Sequence, residues 1–281
     1  MLGLAKVVLM GIVQGLSEFL PISSSGHLVF TSHILQFISE NALTDETSYD
    51  IVLSMMLHIG TLIAVFIFFW KDIVEIAKAL FTGIKNKKFD DYKSQTGLFI
   101  IYGTLVTIFV GLLLNDTAET LMERPAVVGL LLMVTGAVLY GCEKYSDALS
   151  IKSDKMTLKR ALIMSLAQGL AVLPGFSRSG WTIASGIFSG GERTSCARFS
   201  FLLSIPIILG ASIIYPLKEI NLSELISYNW NYILIGTIVS AIVGYICIKY
   251  FLVFLSKYSL KAFGYYCFIV GFLATVIFTY I

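Results

Sequence analysis

Six apolar segments, each long enough to cross a lipid bilayer, limit what this chain can fold into. A helix needs about 20 predominantly apolar residues to span the hydrocarbon core, and lipid admits only helices and closed barrels as spanning structures. Hydrophobic residues make up 57% of the chain and charged residues 14%, whereas a soluble domain carries about 25% charged residues. The sequence therefore predicts an all-α polytopic membrane protein. The segments are 51–70, 97–114, 125–142, 199–217, 231–250 and 262–280.

Two further apolar regions are each interrupted by a polar stretch. Residues 2–20 and 28–37 flank the first stretch, and residues 161–174 and 182–189 flank the second. The interrupted segments are too short to give two spans each. Irregular backbone at membrane depth is tolerated only where protein or a water-filled cavity covers it. We therefore expect two re-entrant helical hairpins, each with a polar tip.

The two polar stretches are related to each other. Gln14 aligns with Gln168, 154 positions later, and Ser23, Ser25 and Gly26 align with their counterparts at the same offset. The first copy carries a carboxylate and an imidazole, whereas the second carries a guanidinium, so we expect two half-sites that meet. We treat residues 1–281 as a single integral membrane domain, with repeat one at 1–145 and repeat two at 155–281. The stretches are Gln14-Gly-Leu-Ser-Glu18-Phe-Leu-Pro21-Ile-Ser23-Ser24-Ser25-Gly26-His27 and Gln168-Gly-Leu-Ala-Val-Leu-Pro174-Gly-Phe-Ser177-Arg178-Ser179-Gly180-Trp181-Thr182.

The distribution of lysine and arginine predicts the orientation in the membrane, because cytoplasmic loops carry an excess of both. The basic segments, predicted to be cytoplasmic, are 71–95, 143–160, 190–198 and 251–261. Both termini then lie outside, together with 38–50, 115–125 and 218–230. Each half holds three spans, an odd number, so the halves have inverted topology. Inverted repeats place a shared site near the midplane, at the interface of the repeats.

The first tip holds the residues best suited to acid–base chemistry. Gln14 and Glu18 are four residues apart and share a helix face. Glu18 is a candidate general base or metal ligand; the alternative is a buried carboxyl kept protonated by desolvation. Ser23, Ser24 and Ser25 precede a helix, where they can act as N-caps or help its N-terminus to bind an anion. His27 is a candidate for proton transfer.

The second tip is suited to binding a highly charged anion such as a diphosphate. Ser177 and Ser179 precede or begin a helix, and Thr182 lies on the helix face of Arg178. The guanidinium of Arg178 can bind phosphate oxygens through two parallel hydrogen bonds. The alternative role for Arg178 is that of a structural partner for Glu18.

Other features exclude some functions. The net charge of +2 gives no reason to expect a nucleic-acid partner. The four cysteines are scattered, without the spacing of a zinc or haem site. The sequence leaves open whether the chain forms a homodimer.

These motifs carry a resemblance that covers essentially the whole chain. The first stretch from Gln14 to His27 and the segment Pro174-Gly-Phe-Ser-Arg-Ser-Gly-Trp-Thr182 resemble the two signature motifs of the bacterial undecaprenyl-diphosphate phosphatase family, also called bacitracin-resistance proteins. The similarity extends to Arg198-Phe-Ser-Phe-Leu-Leu-Ser-Ile-Pro206. One position departs from many members, which have Glu where this chain has Gln14, so Glu18 would carry any carboxylate role alone.

The resemblance implies a multi-pass hydrolase of the bacterial inner membrane. It would convert undecaprenyl diphosphate, a polyprenyl diphosphate lipid, into the monophosphate carrier used for peptidoglycan and other envelope polymers. The family depends on a divalent cation, Mg²⁺ or Ca²⁺, for which Glu18 is the candidate ligand. The resemblance places the site at Gln14, Glu18, Ser23, Ser24, His27, Ser177, Arg178, Ser179 and Thr182.

Two questions stay open at this point. Ser24 could be the nucleophile, with His27 adjusting protons, or Glu18 could activate a water molecule. A transporter or flippase for a polyprenyl phosphate is the alternative function, because broken helices in inverted repeats are a transporter architecture. A third, weaker interpretation is a lipid-binding or resistance protein without turnover.

Overall fold

A computed structural model describes residues 2–38, 47–148, 152–219 and 228–280. Within these residues the chain forms eleven α-helices and no sheet; an isolated parallel bridge joins Ser153 to Gly191. The helices are α1 (Leu2–Ser17), α2 (Ser24–Ile38), α3 (Thr47–Phe68), α4 (Trp70–Asn86), α5 (Tyr92–Met122), α6 (Pro125–Asp147), α7 (Leu158–Leu170), α8 (Arg178–Phe188), α9 (Arg193–Glu219), α10 (Trp230–Lys257) and α11 (Lys261–Tyr280).

Six of these helices are long and apolar enough to cross a membrane, which confirms the predicted all-α, multi-pass class. They fall in the same order as the six predicted segments, three before the second polar stretch and three after it. The segments are Ile51–Phe68, Tyr92–Met122, Pro125–Asp147, Arg193–Ser212, Trp230–Lys257 and Lys261–Tyr280.

The segments between the spans contain more helix than their polar composition indicates. The lysine-rich segment 71–95 was expected to be a polar loop, but most of it forms α4. Asp91 caps the N-terminus of α5: its side chain accepts hydrogen bonds from the backbone N–H groups of Lys93 (3.0 Å) and Ser94 (3.1 Å). Helix α5 continues to Met122 because no Gly or Pro stops a helix between its last apolar turn and Pro125. The expected outer loops 38–50 and 218–230 lie largely outside the described residues.

Small residues bring pairs of helices into close contact. The most extensive pairs are α6 with α11, α3 with α10, α1 with α10, and α5 with α7. A methyl group added at Gly11 of α1 would lie 2.6 Å from the carbonyl oxygen of Gly236 on α10. Only a residue without a side chain permits that approach, which is how membrane helices gain packing contacts without a hydrophobic driving force.

The core beneath the polar stretches is aromatic. Phe19 follows Glu18 directly and is fully buried, with its ring edge-on to Phe201 at a centroid distance of 5.4 Å. Phe69 and Phe251 extend the same cluster. The first polar stretch is therefore held by a large apolar anchor next to its carboxylate.

Candidate active site

The first polar stretch forms a tight turn between α1 and α2, the first tip. Helix α1 ends at Ser17 and α2 begins at Ser24. Ser23 has a positive φ of 70°, a conformation that is uncommon for residues other than glycine. Its hydroxyl accepts a hydrogen bond from the backbone N–H of Gly26 at 3.2 Å and lies 3.3 Å from the hydroxyl of Ser25. These contacts cap the N-terminus of α2.

The second polar stretch, between α7 and α8, forms the second tip, with the same cap. The hydroxyl of Ser177 accepts a hydrogen bond from the backbone N–H of Gly180 at 3.1 Å, and it lies 3.3 Å from the hydroxyl of Ser179. Here Gly175 takes the positive φ, at 91°. Thr135 of α6 supports this tip, donating to the carbonyl of Gly175 at 3.0 Å and accepting from the backbone N–H of Ser177 at 3.3 Å.

The two tips meet. The Ser179 hydroxyl donates to the carbonyl oxygen of Leu20 at 2.9 Å, although the two residues are 159 positions apart. A methyl group added at Gly180 would lie 3.2 Å from Cβ of Pro21, and one added at Gly26 would lie 3.4 Å from Cα of Gly175. The glycines of both motifs thus let the two turns approach each other.

Glu18 stands at the centre of the joined tips and is 6% exposed. Its Oε1 forms an ion pair with Nη2 of Arg178 from the second tip. Its Oε2 accepts hydrogen bonds from Nε2 of Gln14 at 2.9 Å and from the hydroxyl of Ser24 at 2.7 Å. The ion pair that was considered as the structural role of Arg178 is therefore present, and it joins the charged groups of the two halves.

Several buried polar atoms around this ion pair have no partner among the described residues. They include Nη1 of Arg178, Oε1 of Gln14 and Oε1 of Gln168. An unpaired buried polar group costs about 1–3 kcal/mol, so such groups call for an explanation. A polar ligand beside the ion pair would supply an acceptor to Nη1 of Arg178 and a donor to Oε1 of Gln14.

Two of the expected site residues point elsewhere. His27 does not hydrogen-bond Glu18, Ser24 or Arg178; its Nε2 lies 2.8 Å from the Tyr266 hydroxyl, and the two rings are stacked. Thr182 is fully buried and donates to backbone carbonyls of its own helix, with Ser200 as its other partner. Thr182 supports the first turn of α8 rather than contacting the carboxylate.

The structure adds neighbours that sequence reasoning left out of the site. Nε2 of His58, on α3, lies 3.8 Å from Oε2 of Glu18. Gln168 is 3% exposed and donates through Nε2 to the hydroxyl of Thr107 at 3.2 Å. The alignment of Gln168 with Gln14 was a signal for its place, whereas nothing in the sequence singled out Tyr266 as the partner of His27.

A cavity of about 570 Å³ leads away from the joined tips, between α5, α7 and α9. Arg178 and Gln168 lie on its wall, together with apolar side chains and three glycines, Gly111, Gly169 and Gly210. Its lining also includes Asn115, Asp116 and Glu119 from the far part of α5. The cavity therefore combines a mostly apolar wall with the cationic group of the second tip.

The residues of the tips fit a divalent cation only when a ligand shares it. The described residues contain no cluster of three or more His, Cys, Asp or Glu side chains that could enclose a metal. Mg²⁺, however, is commonly held by one or two carboxylates together with substrate phosphates and water. Glu18, the free Oε1 of Gln14 and the Ser24 hydroxyl form a donor set of that kind.

Comparisons with known proteins agree over nearly the full length. The family described as bacitracin resistance protein BacA matches residues 7–273. The chain is 41% identical over 287 residues to a protein of Methanosphaera stadtmanae, covering 99% of each chain. It is 41% identical over 272 residues to one of Halothermothrix orenii, covering 97% of each. A protein of Thermodesulfovibrio yellowstonii is 38% identical over 275 residues, covering 98% of this chain and 96% of its own.

All three relatives are named undecaprenyl-diphosphatase. The family match, over residues 7–273, extends across both polar tips, five candidate spans in full and most of the sixth. The chain belongs to the bacitracin resistance protein BacA family.

Proposed function

We propose that this protein is an undecaprenyl-diphosphate phosphatase, which removes the terminal phosphate of undecaprenyl diphosphate and leaves the monophosphate lipid carrier. The observation that carries this proposal is the contact of Glu18 with both Ser24 and Arg178, the last of which also lies on the wall of the cavity. A lipid diphosphate needs a charged pocket for its head and an apolar path for its tail, and this site offers both. The names of the relatives support a hydrolase rather than a transporter.

The architecture that we propose for this enzyme is a pair of inverted repeats, each with a re-entrant hairpin and three spans. Matching helix contacts support it. A methyl group added at Gly15 of α1 would lie 2.8 Å from the carbonyl of Ser240 on α10, and one added at Gly169 of α7 would lie 3.3 Å from the carbonyl of Thr107 on α5. Gly15 and Gly169 are aligned by the same 154-residue offset as the tips.

The pairing of α6 with α11 supports the same architecture. Gly129 and Gly136 on α6 are seven residues apart, as are Gly264 and Gly271 on α11. A methyl group at Gly129 would lie 2.7 Å from the carbonyl of Gly271, and one at Gly136 would lie 2.7 Å from that of Gly264. The two helices thus run antiparallel and meet at reciprocal positions, as expected where a two-fold axis relates two repeats.

We assign the nucleophile to Ser24 and the general base to Glu18. The Ser24 hydroxyl already donates to Oε2 of Glu18 at 2.7 Å, so the carboxylate is placed to take its proton. The Ser24 oxygen would then attack the terminal phosphorus, and the bond to the bridging oxygen would break to release undecaprenyl phosphate. Water would hydrolyse the phosphoserine and free inorganic phosphate.

Arg178 and the helix N-termini supply the positive charge that phosphoryl transfer needs, since this chemistry depends mostly on positioning and charge stabilisation. Nη2 of Arg178 is held by Glu18, while Nη1 is left free for a phosphate oxygen. The capped N-termini of α2 and α8 would add their positive dipole ends at the joined tips. His27 remains a candidate for proton transfer, acting from its contact with Tyr266.

Glu18, Gln14 and Ser24 would hold the Mg²⁺ or Ca²⁺ ion together with phosphate oxygens of the substrate. When bound, the ion would neutralise phosphate charge and so favour release of the monophosphate. The protein's own part is to orient the donors: Gln14 is fully buried, and its Nε2 contact with Glu18 leaves Oε1 free.

The cavity favours a substrate that enters from the outer side of the membrane. Its wall runs from Arg178 to Asn115, Asp116 and Glu119, and the segment 115–125 is predicted to lie outside. The predicted orientation and the inner-membrane location would place the released monophosphate where the carrier of peptidoglycan precursors is recycled.

Phosphate release by the purified protein tests the proposed function. In detergent, with Mg²⁺ or Ca²⁺, the protein should release inorganic phosphate from undecaprenyl diphosphate, and a chelator should stop the release. Arg178→Ala should lower kcat by about 10²-fold, because a lost transition-state charge contact costs roughly 3 kcal/mol. The matched control is Arg124→Ala, at an exposed position just before α6. Near-normal turnover by Arg178→Ala would show that the site is wrongly assigned.

A further inference from the structure

Helix α4 carries an apolar stripe that faces away from the protein. Trp70 is 60% exposed, Phe81 is 72% exposed and Ile84 is 58% exposed. Val74 and Ala77 continue the same face, because the five residues follow a helical spacing of four, three, four and three.

A row of lysines borders this apolar stripe. Lys71, Lys78 and Lys85 are exposed and seven residues apart, and each follows a residue of the stripe by one position. The face of α4 opposite the lysine row packs on the protein through Ile73 and Ile76. The helix therefore has a packed face, an exposed apolar face and a cationic edge between that apolar face and water.

The contacts of α4 place it across the ends of two spanning helices. Methyl groups added at Gly97, in the second turn of α5, would lie 3.2 Å from Ile76 and Leu80. Asp72 pairs with Arg198, in the second turn of α9, at 2.8 Å. Phe69, directly before α4, is fully buried. Because α5 and α9 both begin here and α3 ends here, α4 lies where the spans leave the membrane.

We propose that α4 lies in the membrane interface and binds anionic lipid headgroups. Trp70, Phe81 and Ile84 would insert among the acyl chains, and Lys71, Lys78 and Lys85 would contact the headgroups. An amphipathic helix with aromatic residues on one side and lysines beside them binds in this way, and each lysine near an anionic surface contributes about 1 kcal/mol. The leaflet is the one at the N-termini of α5 and α9, predicted to be cytoplasmic.

Charge favours lipid over a second copy of the chain as the occupant of the stripe. A two-fold contact would set the same patch of both copies together, and the lysine row of one copy would approach that of the other. Anionic headgroups would instead neutralise Lys71, Lys78 and Lys85. The proposal stands on α4 alone and is independent of the enzymatic function.

Fluorescence quenching tests this surface directly. The protein is placed in phosphatidylcholine vesicles containing an equal fraction of either brominated phosphatidylglycerol or brominated phosphatidylcholine. The signal of Trp70 is the difference between the wild-type protein and Trp70→Phe. The anionic lipid should quench this signal about twofold more than the zwitterionic lipid. The triple variant Lys71→Gln, Lys78→Gln, Lys85→Gln should lose the preference while zwitterionic quenching persists.

Two further triple variants complete the experiment. Lys152→Gln, Lys155→Gln, Lys159→Gln removes the same charge from exposed positions before α7 and in its first turn, and should keep the preference. Replacement of the three α4 lysines by arginine should also keep it, which separates charge loss from misfolding. Equal quenching of wild-type protein by both lipids would overturn the proposal. So would an unquenched Trp70 together with disulfide crosslinking of Phe81→Cys between copies, the result expected of a dimer contact.

Discussion

The two polar tips share a backbone plan and divide the chemistry between them. In both, a serine hydroxyl caps the following helix by accepting from the N–H three residues on, and a second serine lies 3.3 Å from the first. The first tip contributes the carboxylate of Glu18, and the second contributes the guanidinium of Arg178. Repetition thus provides two matching helix N-termini, and the site depends on the residues in which the copies differ.

The surroundings of the tips differ in a way that determines where the cavity lies. Behind the first tip, Phe19 fills the space beside α10, so that a methyl group added at Gly244 would lie 3.0 Å from its ring. Gly111 is the matching residue on α5, because it follows Thr107, the contact of Gly169, by four positions, as Gly244 follows Ser240, the contact of Gly15. A methyl group added at Gly111 would meet nothing within 4 Å. Phe19 therefore fills the space beside α10, whereas the matching space beside α5 stays open and forms the cavity.

Removing the charge of the first tip should have the largest effect. Glu18→Gln should lower phosphate release by about 10⁴-fold, because an amide cannot accept the proton of Ser24, and added cation should not restore it. Gln14→Glu should keep substantial activity with a changed metal or pH optimum, and Gln14→Ala should be intermediate. The measurement is phosphate release against pH and cation concentration for the three variants, each checked for monodisperse elution. A fully active Glu18→Gln protein would remove the carboxylate from the mechanism.

The hydroxyl of the first tip comes next. Ser24→Ala should lower kcat by about 10³-fold, because it removes the group whose proton Glu18 is placed to accept. Ser185→Ala is the matched control, since that hydroxyl donates within its own helix to the carbonyl of Thr182 at 2.9 Å. Single-turnover phosphate release distinguishes a chemical defect from a binding defect. A loss of less than about tenfold would favour a water nucleophile over Ser24.

Filling the cavity beside α5 should weaken binding of the substrate tail. Gly111→Leu should lower kcat/KM for undecaprenyl diphosphate by about tenfold, equivalent to about 1.4 kcal/mol, mainly through KM. A short-chain prenyl diphosphate should be affected less. Gly141→Leu is the control, at a helix position outside the cavity where an added methyl group would lie 3.7 Å from Phe188. If Gly111→Leu impaired both substrates equally, the cavity would not hold the tail.

The bilayer made the spans predictable, because a fixed thickness demands long apolar segments. The repeat made the meeting of the tips predictable, since Glu18 and Arg178 lie at different positions within two stretches that align with each other. Helix α4 was missed because its lysines suggested a loop, although the seven-residue spacing of Lys71, Lys78 and Lys85 is helical. A search for the period of 3.6 residues would have found it.

Other features of the site had no sequence signal. The contact of His27 with Tyr266 joins residues 239 positions apart, and the approach of His58 to Glu18 depends on how α3 packs against the first tip. The closure of one half by Phe19 is a matter of side-chain packing, for which periodicity and composition provide no guide. A sequence repeat predicts which residues occupy matching positions, whereas the surrounding side chains determine whether two matching residues make the same contacts.

The smallest expected effect concerns the hydrogen bond that Ser179 makes across the tips. Ser179 donates to the carbonyl of Leu20 across the tips at 2.9 Å, whereas the contact described for Ser25, its counterpart, stays within its own tip. Ser179→Ala should therefore cost about 1 kcal/mol and lower Tm by roughly 2–4 °C, and Ser25→Ala should change Tm less. Thermal unfolding in one detergent at one scan rate measures both. Equal shifts would mean that the inter-tip bond contributes nothing beyond the serine pair that both tips share.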